Sequence, residues 1–279
     1  MREWINRIHE GDCLFLLPRI PDNSIDLVLC DLPYGLTQNP WDKVIDLVRL
    51  WAEYRRVLKE NGVIVLTSQG KFTAELILSN VGWFKYKFIW IKSSPTNFLN
   101  AKKQPLRRHE DICVFYNGRP PYNPQMIKGR AYDKGIDSDR KSGSYGIFRA
   151  KRKRNYAGLY YPNDVLFFDE YAHYDWVYFK RAQSEGAVYH PNQKPVDLGR
   201  YLVRTFSSPG AIVLDNACGS GSFLVSAVLE HRRFIGIELN QHAFSLKTRP
   251  VDFIKICNRR VNAAYRVLAA RDNQLPLFW

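Results

Sequence analysis

Residues 211–222 read AIVLDNACGSGS, and their reading sets the architecture. Ala211–Leu214 is a short apolar run that predicts a buried strand. Asp215 follows it, then a Gly219-Ser220-Gly221 turn, and a helix is expected over Ser222–His231. Glycines in such a turn let a ligand approach the backbone closely, next to a helix N-terminus. The next expected strand, Phe234–Leu239, carries Glu238 near its end, an acid placed to accept hydrogen bonds from ribose hydroxyls. NAD is one ligand such a unit holds. The third glycine of G-x-G-x-x-G is missing, however, because Phe223 and Leu224 follow instead. S-adenosylmethionine (SAM) also has a ribose and an adenine but no pyrophosphate, so it does not require that pattern. A tight turn with no ligand is the plain alternative.

The alternation extends outward in both directions. Strands are expected at Ile25–Asp31, Val63–Thr67, Tyr86–Ile91 and Asp111–Tyr116. Helices are expected at Val44–Lys59, ended by Asn61-Gly62, at Lys71–Asn80, and at Pro195–Phe206 with proline at its start. This order predicts an α/β, doubly wound, mostly parallel sheet covered on both faces. Residues 117–185 break the pattern. They are rich in Gly, Arg, Lys and Tyr, with short strands expected at Asp164–Asp169 and Trp176–Phe179. The chain therefore divides into 1–116, an insertion at 117–185, and 186–279 with a C-terminal tail.

Composition narrows the function classes. No stretch of the 279 residues is apolar enough to cross a membrane, and the charged N-terminus has no signal-peptide core, so a cytoplasmic setting is expected. Five scattered cysteines without a C-x-x-C pair indicate neither a zinc site nor a disulfide framework. The net charge of +14 suggests a polyanionic partner, and residues 102–154 concentrate it, with 15 Lys/Arg against 5 Asp/Glu. A solvated basic loop is the bland reading, but the interleaved aromatics and glycines favour nucleic acid.

The first strand runs into CDLPYGLTQNPWD, residues 30–42. A nucleobase amine is a poor nucleophile because its lone pair is delocalised into the ring. Two acceptors aimed at its hydrogens favour the tetrahedral nitrogen. The Asp31 carboxylate and the Leu32 carbonyl are the candidate pair, with Pro33 stiffening the turn and Tyr34 stacking on the base, worth ~1–3 kcal/mol. The methyl of a sulfonium then needs only positioning and no metal. The base must leave the duplex to reach such a pocket.

Taken together, the motifs resemble the amino-directed DNA methyltransferases, SAM-dependent enzymes that methylate adenine N6 or cytosine N4. The order resembles the β group, in which the D-P-P-Y-type motif precedes the SAM loop. GDCLFLLPRIPDNSIDLVLCDLPYG, RRHEDICVFY at 107–116, and HPNQKPVDLGRYLVRTFSSPGAIVLDNACGSGS at 190–222 with FIGIELN carry the likeness, over roughly 8–116 and 188–256. The form DLPYG followed by QNPWD looks most like phage and prophage versions. The resemblance implies a Rossmann-like methyltransferase fold with an inserted target-recognition region. Asp31, Leu32, Pro33 and Tyr34 would form the base site, with Asp31 also bordering SAM. Asp215, Cys218, Gly219 and Gly221 would line SAM, Glu238 would hold its ribose, and Asp12, of the Gly11-Asp12-Cys13 stretch, would approach its adenine. Lys194, with His190 and Gln193, would fix the segment beside the methionine end.

Two positions depart from the pattern: Leu32 replaces the second proline of D-P-P-Y, and Asp215-Asn216-Ala217 stands where D-P-F is usual. An acid at position 31 favours adenine N6 by family tendency. Cytosine N4 is the runner-up, and a non-catalytic DNA-binding protein with this fold is the reading from another class. Lys151, Arg152, Lys153 and Arg154 are expected to contact the phosphates of double-stranded DNA. Some family members dimerise, so a homodimer stays among the expectations. The tail residues Gln274–Phe278, QLPLF, resemble a peptide that docks on the replication sliding clamp.

Overall fold

The computed structural model describes residues 1–37, 42–136, 138–142, 146–149, 151–166, 193–240 and 251–272. Trp176–Phe179, His190 and Gln274–Phe278 lie outside the described residues.

The chain begins with β1 (Arg7–Glu10), α1 (Cys13–Leu16), β2 (Ile25–Cys30), α2 (Leu47–Val57), β3 (Leu58–Ser68), α3 (Lys71–Ser79), β4 (Phe84–Thr96) and β5 (Arg107–Phe115). The insertion contributes β6 (Ile127–Lys128), β7 (Tyr132–Ile136), β8 (Arg140–Ser142), β9 (Gly146–Phe148), β10 (Arg152–Asn155) and β11 (Leu159–Tyr160). β12 (Val165–Leu166), α4 (Val196–Phe206), β13 (Ile212–Asp215), α5 (Ser222–Leu229), β14 (Arg233–Glu238) and α6 (Phe253–Asp272) follow. Among the described residues, eight strands form one sheet in the order β1-β14-β13-β2-β3-β5-β4-β12. The β1, β14, β13, β2 and β3 neighbours are parallel, whereas β5 runs antiparallel to both β3 and β4. The expected α/β fold is therefore the observed one, with a mostly parallel sheet.

Both faces are covered, which is why the strands read as unbroken apolar runs. Leu27, Leu29, Val63, Val65 and Val213 pack under α4, α5 and α6. Val28, Cys30, Ile64, Leu66 and Leu214 pack under α2 and α3, joined by Trp51, Tyr54 and Phe72. All five cysteines are buried and free. Among the described residues, no helix is long and apolar enough to cross a membrane.

Several boundaries differ from the expectations, β4 and β5 starting earlier at Phe84 and Arg107. α2 begins at Leu47, where Asp46 caps it by accepting from the Arg49 amide at 3.1 Å, and it ends at Val57. Asn61-Gly62 is not its stop. Ile25 pairs with Leu58 but Leu27 with Val63, so 59–62 form an irregularity inside β3. The Asp164–Asp169 strand is described at Val165–Leu166, and these residues pair with β4 in the main sheet, so the insertion has returned to the sheet by there. α6, the longest helix described, was not foreseen.

Adjacent strands β2 and β13 lead in opposite directions, β2 to β3 through α2 and β13 to β14 through α5. Loops diverge at such a switch point, and the crevice beyond the strand ends is where open α/β sheets take ligands.

Candidate active site

A cleft of ≈ 680 Å³ opens at that switch point. Asp12, Asp31, Leu32, Pro33, Tyr34, Lys194, Asp215, Cys218, Gly219 and Glu238 all line it, bringing together the residues singled out for the base and for SAM apart from Gly221 and His190. Gly221 is not among the lining residues. A Cβ there would lie 2.2 Å from Cys257 Sγ, so this glycine serves the packing of α6 against the loop.

On the glycine-loop side, Gly219 has a φ of +51° and a Cβ on it would meet nothing within 4 Å. Its amide donates to Glu238 Oε2 at 2.7 Å, and the Asn240 amide donates to Oε1 at 3.2 Å. Burial raises the Glu238 carboxyl against these bonds. Asp12 caps α1, accepting from the Leu14 amide at 2.8 Å. Burial pushes Asp215 up to about 8, helped by the charges of Asp31 and Glu238. Asn216, at the first departure from D-P-F, accepts from the Tyr54 hydroxyl at 2.6 Å, so α2 buttresses the loop. Gln193 accepts from Ser220 Oγ at 3.2 Å, linking the α4 approach to the loop.

Lys194, the neighbour of Gln193, lines the same cleft. Its ammonium donates to Asp31 Oδ2 at 2.6 Å, with Glu110 Oε2 at 3.3 Å. Asp31 Oδ1 accepts from the Tyr34 hydroxyl at 2.8 Å and from Thr67 Oγ1. The Tyr34 ring stacks on Phe72, centroids 5.4 Å apart, with the Lys194 ammonium 5.3 Å from its centroid. Behind them Lys92 donates to Glu110 Oε1 at 3.1 Å. Burial would raise Glu110, but Lys194 and Lys92 override it and hold its carboxyl below the ordinary value. Burial would lower Lys194, but Asp31 and Glu110 hold it above its ordinary value. Lys194 therefore remains an ammonium, an electrostatic anchor rather than a base.

Leu32 is 3% exposed, its side chain buried beside Cys30 and Leu66, which anchors the turn. Asp42, missed at the sequence level, steadies the stretch that follows. Its buried carboxylate accepts from the amides of Gly35 at 2.8 Å, Leu36 at 3.0 Å and Thr37 at 2.7 Å. Three successive N–H groups around one carboxylate form a stable concavity. Thr67, Lys92 and Glu110 were also missed. The signal was available for two of them: Lys92 and Glu110 fall in register with Trp90 and Ile112 on strand faces otherwise apolar.

Among the described residues, the insertion carries three two-stranded sheets, β6 with β11, β7 with β10, and β8 with β9. Lys151, Arg152, Lys153 and Arg154 are all exposed there. Arg152 is paired with Asp133 at 2.7 Å, which also accepts from the Tyr156 hydroxyl at 2.6 Å. These two bonds, Arg152 first, lower the Asp133 carboxyl to about 2. The Arg154 guanidinium lies 5.7 Å from the Tyr156 ring.

Known proteins resemble this chain in sequence and in fold. The N6_N4_Mtase family profile, described as DNA methylase, matches residues 25–249. The chain is 29% identical over 259 residues to the DNA adenine methyltransferase YhdJ of Escherichia coli K12, covering 88% of this chain and 82% of that protein. Among solved structures it is similar to the M1.HpyAVI–SAM complex (TM-score 0.58, 18% identity, 92% of this chain and 98% of that one). It is also similar to the cytosine-N4-specific PvuII DNA methyltransferase (TM-score 0.55, 16% identity, 91% and 92%).

Proposed function

The chain belongs to the N6/N4 DNA methylase family, whose members use SAM, and from that premise we propose that it transfers a methyl group from SAM to adenine N6 in DNA. The observation that carries the reading is Asp31, an acid at the β2 end beside Asp215 and the open Gly219 backbone in one cleft. The residues fit SAM: Gly219 leaves room for a ligand against the backbone, and the acids Asp12, Asp215 and Glu238 suit its amines, hydroxyls and positive charge. Bound there, SAM supplies an electrophilic methyl group. Asp31 and the Leu32 carbonyl accept the two amine hydrogens of the extruded base, and the proton lost from the nitrogen passes to Asp31. Asp42 fixes the turn that aims them.

The test is incubation of the protein and SAM labelled in its methyl group with unmethylated DNA, followed by digestion to nucleosides and mass spectrometry. Label in N6-methyladenosine is expected. Label in N4-methylcytosine would keep the chemistry and overturn the base. That second reading is supported by the likeness to the PvuII enzyme.

Asp215 gives a pH-dependent signature. Its value of about 8 in the free protein lies above the ordinary ~3.9. The folded state therefore binds this proton more tightly than the unfolded chain. The stability it contributes is full below pH ~4 and is lost as pH rises through about 8. A cationic ligand beside Asp215 favours its ionised form. At pH 7, calorimetric titration with SAM in buffers of different ionisation enthalpy is thus expected to show proton release. Asp215→Asn is expected to remove it, and release that persists in this variant would place the proton elsewhere.

The exposed cations of the insertion are proposed to hold the DNA backbone, with Phe98 and Leu99, 75% and 85% exposed in the β4–β5 connection, near the cleft mouth where Asn97 lines it. Replacing Lys151, Lys153 and Arg154 with alanine is expected to weaken binding across all DNA sequences. It should also flatten the log K against log[salt] slope by roughly 0.9 for each phosphate no longer neutralised. Filter-binding titrations at several salt concentrations measure this, and an unchanged slope would remove these residues from the interface.

A further inference from the structure

Asp31 and Glu110 share two donors. The Tyr34 hydroxyl lies 2.8 Å from Asp31 Oδ1 and 3.3 Å from Glu110 Oε2. The Lys194 ammonium lies 2.6 Å from Asp31 Oδ2 and 3.3 Å from the same Glu110 oxygen. Asp31, Tyr34, Glu110 and Lys194 thus close a ring of polar contacts, and Lys92 props it from outside at Glu110 Oε1. Both shared donors sit nearer Asp31.

This arrangement poses a problem for the reaction proposed above. A carboxylate offers about four acceptor sites. Asp31 already serves Tyr34, Thr67 and Lys194, and Oδ1 takes two of them. A base amine competes for that oxygen. Lys194 is the wrong donor to give up, because separating a buried ammonium from a carboxylate is strongly unfavourable. Tyr34 is the cheaper one: it is neutral, and a second acceptor stands 3.3 Å away.

The geometry points to Glu110 as a positioning residue that takes over the Tyr34 hydroxyl when the target amine reaches Asp31, leaving Asp31 Oδ1 for the amine. Two cations neutralise Glu110, so it accepts the hydroxyl without burying a new uncompensated charge. The exchange also couples the Tyr34 ring to base arrival, since the hydroxyl and ring move as one body. The inference rests on Asp31 as the amine's acceptor.

A double-mutant cycle tests it. Single-turnover methylation of unmethylated DNA is followed with enzyme in excess over DNA and saturating methyl-labelled SAM, for the wild type, Glu110→Gln, Tyr34→Phe and the double variant. DNA binding in the presence of S-adenosylhomocysteine is measured alongside. Glu110→Gln is expected to slow the single turnover about tenfold while DNA affinity changes less than about threefold, a coupling of about 1.4 kcal/mol if it vanishes in the second background. In the Tyr34→Phe background, which has no hydroxyl to receive, Glu110→Gln is expected to slow the reaction less than about twofold. Equal slowing in both backgrounds, or none in either, would overturn the inference, because a purely structural Glu110 acts regardless of the hydroxyl. Thermal melting checks the fold, and if Glu110→Gln melts early, Glu110→Asp takes its place, keeping the charge but withdrawing the carboxylate from Tyr34. No label from the wild-type chain would overturn the methyltransferase reading itself and the inference with it. Additive effects in an active enzyme would overturn the inference alone.

Discussion

Asp31→Ala is expected to bind SAM and DNA and yet lose methyl transfer by on the order of 10²–10³-fold, the usual loss when a preorganised polar group at the reacting centre is removed. The fold should survive, because the partners of Asp31 are otherwise held. Lys194 keeps Glu110 at 3.3 Å, and so does the Tyr34 hydroxyl. Thr67 loses this acceptor at the end of β3. Asp31→Asn separates charge from acceptance. It retains one carbonyl oxygen, but its amide nitrogen, if turned to the Oδ2 side, sets a donor against the Lys194 ammonium now 2.6 Å away. The asparagine variant is therefore expected to orient its oxygen toward Lys194 and offer the base a donor, with a loss close to that of alanine. Single-turnover rates with labelled SAM measure both variants. Activity of Asp31→Ala within tenfold of wild type would remove Asp31 from the centre of the reaction.

The sheet was legible because its central strands are buried on both faces and written as continuous apolar runs, and because Asp215, Gly219 and Glu238 mark the strand ends around one turn. The same motifs located the cleft. What remained hidden has particular causes. α2 stops short of the Asn-Gly pair because β3 begins immediately at Leu58 and absorbs the pair in an irregular pairing, a tertiary override of a local stop signal. The partners of the Lys194 ammonium were not legible, because its motif fixes its neighbour Gln193 against Ser220, while Asp31 and Glu110 lie at the β2 end and on β5, far away in sequence. Glu110 and Lys92 were within reach. A charge on the buried face of a strand needs a partner, and pairing β4 with β5 brings the two together. Gly221 was read as lining SAM from the Gly-x-Gly turn and the family resemblance, and its packing against α6 is visible only in the fold.

That difference between the two glycines is itself a large expected effect. Both have positive φ, +51° at Gly219 and +80° at Gly221, so an alanine at either costs roughly 1–2 kcal/mol in backbone strain. At Gly221 the added methyl also lands 2.2 Å from Cys257 Sγ, in a helix residue that is 0% exposed. Overpacking of this kind adds about 1–3 kcal/mol. Gly221→Ala is thus expected to cost about 3 kcal/mol in all, lowering Tm by roughly 6–12 °C at about 2–4 °C per kcal/mol. At Gly219 the methyl meets nothing within 4 Å, but it projects beside the lining of the cleft. Gly219→Ala is expected to cost only the strain, about 1–2 kcal/mol, and so to lower Tm less than Gly221→Ala does, while weakening SAM binding at least tenfold. The steric share can be isolated. In a Cys257→Ala background the sulfur is gone, and Gly221→Ala should cost only the strain, about 1–2 kcal/mol. Melting curves of the four variants, with SAM titrations on each, decide the matter. A Gly221→Ala protein that melts like the wild type would mean that α6 does not press on the loop. The glycine would then return to the ligand-facing role the sequence suggested.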